Sequence, residues 1–152
     1  VIDGMVKTFH MARMKELALL EDRFEKDTTL AKRLDKAINA WFNPNVEPYE
    51  VILEISAEIK RYMLDHPIAP TQKIVQELPD GTFYLSLEIT NEKEILSTIF
   101  KWIPHIRVIA PKALQESVLL QAKTFLEKQV SDEVLNSSVE NVIWELHFDL
   151  KP

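Results

Sequence analysis

Apolar and polar residues alternate from Tyr49 to Ile55, with Tyr49, Val51, Leu53 and Ile55 on one side and Glu50, Ile52 and Glu54 on the other. A period of two predicts a half-buried strand. Phe83, Leu85, Leu87 and Ile89 repeat the pattern against Tyr84, Ser86 and Glu88. Asp80-Gly81 falls between two strand-like runs, 73–78 and 82–89, and predicts a hairpin because Gly tolerates positive φ. Two other stretches have helical spacing: Ile59, Tyr62 and Met63 share one face, and so do Ile95, Leu96, Ile99 and Phe100. Ser56 and Asn91 are the expected N-caps, and Glu94, three residues after Asn91, suits a capping box. Residues 107–111, RVIAP, supply a last strand.

The order strand, helix, strand, strand, helix, strand predicts an α+β fold of the ferredoxin-like split βαβ type: an antiparallel sheet with both helices on one face. The other face would carry Glu50, Ile52, Glu54, Lys73, Val75, Glu77, Tyr84, Ser86 and Glu88. Its glutamates repel phosphates, so it suits a protein partner better than nucleic acid. A solvated sheet face is the alternative.

Flanking segments are less regular. Residues 5–11 alternate weakly as a strand would, and Met14, Leu17, Leu20 and Phe24 have helical spacing. A helix is predicted over 27–42, capped by Asp27 or Thr28, with Leu30, Leu34, Ala37, Ile38 and Trp41 on one side. Pro44 and Pro48 then end it and mark a linker and domain boundary. Pro111 opens a helix to about Gln129 with a stripe of Leu114, Val118, Ala122, Phe125 and Leu126. Ser131 opens a short helix through about Ser138. At the end, Trp144, Leu146, Phe148 and Leu150 alternate with Glu145, His147 and Asp149, as an amphipathic strand or, alternatively, a short helix. The expected segments are 1–26, 27–48, 49–128 and 129–152.

Composition removes several chemistries. Two glycines cannot write a dinucleotide fingerprint or a P-loop. With no cysteine there is no disulfide, thiolate metal site or thiol nucleophile, which is compatible with a reducing cytosol. No apolar run approaches the roughly 20 residues of a membrane span. Residues 1–48 hold eight Lys/Arg and eight Asp/Glu, which leaves residues 49–152 ten basic and sixteen acidic side chains of the chain's 18 and 24. That part is a poor nucleic-acid binder by itself. The chain opens on Val1 rather than Met, within a strand-like run, so we expect it to be cut from a longer protein.

No two of His10, His66, His105 and His147 lie three or four apart, so no metal is expected. No serine or carboxylate sits in a catalytic context, so neither an enzyme nor a cofactor is expected. Gln72 and Lys73, in the connection HPIAPTQK, are ligand-contact candidates, against a loop without function. Trp41, Trp102 and Trp144 fall on apolar stripes, which suits core or interface positions better than stacking platforms.

Residues 51–114, with their Tyr-bearing helix, Asp80-Gly81 hairpin and the ending WIPHIRVIAP before Leu114, resemble the WCX C-terminal extension of WYL-domain transcriptional regulators. Phe9, His10, Met11 and Arg13 are similar to the last strand of a WYL domain, a barrel whose remainder would lie upstream with a DNA-binding winged helix. The resemblance covers about residues 5 to 128 and rests on apolar and turn patterns. It implies the dimerisation and ligand-response region of a bacterial, cytoplasmic regulator, with an effector that in some members is a nucleic acid or nucleotide. Arg13 would contact an anion, or make an ordinary surface ion pair, and His10 would stand beside it. Ile52 and Tyr84 of the open face, with Trp144, Leu146 and Phe148, are the candidate homodimer contacts. The rival expectation is a free-standing ferredoxin-like domain that binds a small metabolite at a dimer interface.

Overall fold

The computed structural model describes residues 5–129 apart from Asp22. The chain divides into two compact units, Val1–Leu114 and Gln115–Pro152. The first holds a four-stranded sheet made of β1 (Tyr49–Ile55), β2 (Lys73–Glu77), β3 (Phe83–Ile89) and β4 (Ile106–Ala110). The order across it is β2-β3-β1-β4, and every neighbouring pair is antiparallel. Helix α1 (Thr28–Leu34) precedes the sheet, α2 (Lys60–Asp65) follows a 3-10 turn at Ala57–Ile59, and α3 (Lys93–Lys101) connects β3 to β4. The fold is therefore mixed α+β.

The alternation read in β1 and β3 sets the core. Val51, Leu53 and Ile55 of β1 and Phe83, Leu85 and Leu87 of β3 have no exposed surface. Ile59, Met63, Ile89, Ile95, Ile99, Ile106 and Val108 are buried with them. Full burial of one such side chain stabilises by roughly 1.5–3 kcal/mol, so these positions decide which sheet face turns inward. Between β2 and β3, Gly81 N donates to Leu78 O at 3.0 Å and Thr82 N donates to Asp80 Oδ1 at 2.9 Å. Gly81 takes φ 86°, the conformation the Asp-Gly pair predicted.

Bulges change the faces of the edge strands. In β2, Ile74 pairs with Leu85 but Gln76 pairs with Tyr84, so Val75 is the extra residue. Gln76, not Glu77, therefore lies on the open face. Glu77 turns to the helix side, where it pairs with Lys60 of α2. In β4, Ile109 is extra between Val108, opposite Leu53, and Ala110, opposite Ile52.

Asn91 and Glu94 meet at the start of α3 as expected, although the helix's N-cap is Glu92, one residue later, and its side chain makes no cap hydrogen bond. Asn91 Oδ1 accepts from Lys93 N at 3.0 Å, and Glu94 Oε1 accepts from Asn91 N at 3.1 Å. Ser56 stands at the N-cap of the 3-10 turn, but its side chain makes no cap hydrogen bond.

Asp27 caps α1 as expected, Oδ1 accepting from Thr29 N and Leu30 N at 2.9 Å each. The helix stops at Leu34 rather than Phe42, because Asn39 diverts the next turn. Its side chain accepts from Trp41 N and donates to Glu94 O at 2.9 Å. Trp41 is consequently not a core residue; it is 55% exposed, with Lys93 Nζ 4.6 Å from its ring centroid. The strand and helix expected before residue 26 are absent from the described residues, where a 3-10 turn at Met11–Arg13 is the regular element. Leu17, Leu20 and Phe24 are 78%, 69% and 90% exposed: with no surface to cover, apolar spacing does not hold a helix.

A helix α4 covers 112–129, as predicted from Pro111. The expected helix from Ser131 and the strand holding Trp144, Leu146, Phe148 and Leu150 lie outside the described residues. No described helix is long and apolar enough to cross a membrane.

Candidate functional site

The open face of the sheet is organised by its glutamates. Register places Glu54 between Tyr84 of β3 and Arg107 of β4. Both neighbours use the same oxygen: Arg107 Nη2 donates to Glu54 Oε2 at 2.7 Å, and Tyr84 Oη donates to it at 3.2 Å. The hydrogen bond to Glu54 raises the Tyr84 phenol above its ordinary value, with burial and the glutamate's charge acting in the same direction. The same carboxylate raises Arg107.

Four residues back along β1, Glu50 stands opposite Glu88. Like charges so placed repel, and each is met differently. Ser86 Oγ donates to Glu50 Oε1 at 2.6 Å, while Lys36, from beyond the end of α1, reaches Glu88 Oε2 at 3.1 Å. Ile52 lies between the two sets as a half-buried apolar centre. The result is an apolar point ringed by oriented polar groups, an arrangement suited to a protein surface.

At the opposite end of β1, Ser56 Oγ lies 3.0 Å from His105 Nδ1, and Glu58 Oε2 lies 3.9 Å from that same nitrogen. The hydrogen bond from Ser56 holds Glu58 below the usual carboxylate value, with the backbone adding to it. Because both contacts use Nδ1, the ring does not relay a proton from Ser56 to Glu58 across its two nitrogens. Among the described residues no group of three or more His, Asp or Glu could hold a metal ion.

Residues 47–126 match the WCX domain. The chain belongs to the WCX family. The match spans more than half of the 152 residues and contains all four strands. No curated protein matches the chain.

Of the residues singled out from sequence, Ile52, Gln72, Lys73 and Tyr84 lie within the WCX domain, whereas His10 and Arg13 precede it. His10 and Arg13 are exposed at the 3-10 turn, where Arg13 N donates to His10 O at 2.9 Å. Arg13 makes no ion pair among the described residues. Gln72 is a brace: its Oε1 accepts from Ile68 N at 2.7 Å and its Nε2 donates to Met63 O at 3.2 Å. Lys73 is exposed at the start of β2, opposite Ser86 on the open face. No hydrogen bond or ion pair joins Gln72 and Lys73 to His10 and Arg13 among the described residues. Trp144, Leu146 and Phe148 lie outside those residues.

Sequence reasoning missed Arg107 and Lys36. The signal for Arg107 is cross-strand register, since it faces Glu54 only once the β4 bulge is placed. Lys36 has no such signal, because its reach to Glu88 depends on how the turn after α1 docks.

Proposed function

We propose that this chain is the dimerisation and ligand-response region of a bacterial, cytoplasmic WYL-type transcriptional regulator, and that it is not catalytic. Its WCX domain is read as a ferredoxin-like split βαβ; the element order and the strand order β2-β3-β1-β4 support that reading. The observation that carries the functional proposal is the WCX match over 47–126, combined with an open sheet face whose charges are already oriented around Ile52. In this reading two copies meet through that face, with Tyr84 beside Ile52. DNA is bound by an upstream winged helix, and the effector enters at a WYL barrel to which His10 and Arg13 belong.

A hydrogen-bonded path supports the coupling. Asn45 holds the N-terminal segment through a pair of bonds, accepting from Val6 N at 3.1 Å and donating to Val6 O at 2.9 Å. Asn43 Oδ1 accepts from Asn45 N at 3.0 Å, and Asn43 N donates to Thr90 Oγ1 at 2.7 Å, at the corner of β3 and α3. A ligand that binds two arrangements of this segment unequally would bias the relation between the subunits. The test is light scattering across a concentration series, followed by titration of single-stranded nucleic acid into the intact regulator. A chain that is monomeric at every concentration refutes the dimerisation role.

A further inference from the structure

A cleft of about 530 Å³ opens between α1 and residues 42–48, where the WCX domain begins. Its size lies within the range of small-molecule sites, roughly 300–1,000 Å³. Phe42, 8% exposed, and Pro48 give it an apolar floor; Lys32, Arg33 and Lys36 stand on its wall, Thr29 adds a hydroxyl, and Glu47 is the one carboxylate in the lining.

Lys32 and Arg33 in the last turn of α1, with Lys36 two residues past its end, bring three cations to one cleft. Their compensation inside the protein is slight. Lys32 has no partner among the described residues. Arg33 Nη2 donates to Val46 O at 2.8 Å, which fixes the guanidinium against the cleft, and its nearest carboxylate, Glu47, is 3.8 Å away and 93% exposed. Lys36 is tied to Glu88, but both side chains are about half exposed, 53% and 45%. A surface pair of that kind is worth about 0–1 kcal/mol, so a bound anion competes for Lys36 readily.

We infer that this cleft binds a phosphorylated small molecule whose ester group is flat and apolar. A carboxylate is satisfied by a single guanidinium, whereas a phosphate monoester carries close to two charges and three acceptor oxygens and uses all three cations. The apolar body then covers Phe42 and Pro48. Binding would draw Lys36 away from Glu88 and so reach the open sheet face. This site is separate from His10 and Arg13, and it does not depend on the regulatory reading.

The experiment is calorimetric titration of the whole chain with phenyl phosphate, inorganic phosphate and benzoate. Phenyl phosphate is expected to bind about tenfold or more tighter than either of the others, since only it uses both the cations and the floor. Lys32→Ala and Lys36→Ala should each weaken phenyl phosphate by about fivefold or more, with an unchanged circular dichroism spectrum, while Lys123→Ala on α4 leaves it unaltered. Equal affinity for phenyl phosphate and inorganic phosphate, unchanged affinity in the Lys32 and Lys36 variants, or no binding of phenyl phosphate overturns the inference.

Discussion

Glu94 Oε1 accepts three hydrogen bonds at the corner of β3 and α3: from Thr90 Oγ1 at 2.7 Å, Thr90 N at 2.8 Å and Asn91 N at 3.1 Å. The side chain is 1% exposed, and its Oε2 has no partner. Thr90 Oγ1 in turn accepts from Asn43 N, so one carboxylate orients the cap of α3 and the segment leading into β1. Removing it strands buried donors, each worth about 1–3 kcal/mol. Glu94→Ala should therefore cost about 3 kcal/mol and Thr90→Val about 1–2 kcal/mol in urea unfolding. The two share one hydrogen bond, so the double variant should fall short of their sum by about 1 kcal/mol. Glu94→Ala within about 0.5 kcal/mol of wild type would show that the corner is held by other contacts.

Gly81 tests the hairpin. At φ 86° a side chain is strained, and a Cβ there would stand 3.1 Å from Ala57 Cβ, at the start of the turn before α2. Gly81→Ala should destabilise by about 1–2 kcal/mol, where the same change at a compatible position would stabilise. The denaturant midpoint should fall with an unaltered slope.

Tyr84 predicts a pH effect whose sign follows from its environment. The Glu54 hydrogen bond raises the phenol's folded pKa above the ordinary 10.0. Its stabilising contribution is thus complete below the unfolded value and is lost as pH rises through the folded one. Tyr49 is also raised, by burial first and then by Glu92 and Glu94. In an ultraviolet titration of tyrosinate, Glu54→Gln should move the ionisation of one tyrosine to lower pH and leave that of Tyr49 in place. A titration curve identical to wild type would show that the Tyr84–Glu54 bond does not persist in solution.

Which parts of this architecture were legible follows from how local their causes are. Alternation in β1 and β3, the Asp80-Gly81 turn and the Asn91–Glu94 cap each depend on residues close in sequence, and each appears where expected. The Val75 and Ile109 bulges do not, because one extra residue leaves no mark on a period of two until the partner strand is fixed. The end of α1 was hidden for a similar reason. Leu34, Ala37, Ile38 and Trp41 continue a helical stripe, but Asn39 finds the backbone of Glu94, 55 residues away, and the turn opens. The cation cleft is a product of that same docking, so sequence alone showed three basic residues and no cavity. Before residue 26 the spacing was readable and the covering surface was not.

Ile52 is the position at which the open face should be broken. It is opposite Ser86 in the β3 register, and it is flanked by the Glu50–Ser86 and Glu54–Arg107 pairs. A cation introduced there would find Glu50 and Glu54 nearby in the free chain, so Ile52→Lys should fold with stability close to wild type. Across an interface between two copies the same lysine would be desolvated, and apolar contact at the centre of the patch would be lost. The wild-type chain should therefore scatter light as a dimer at low micromolar concentration, and Ile52→Lys should raise the dissociation constant by about tenfold or more. Arg107→Ala should act in the same direction but more weakly, because Arg107 is 66% exposed in the chain and sits at the rim. If Ile52→Lys dimerises as wild type does, the contact lies elsewhere on the chain, and the polar network around Glu54 serves only to hold β1, β3 and β4 in register.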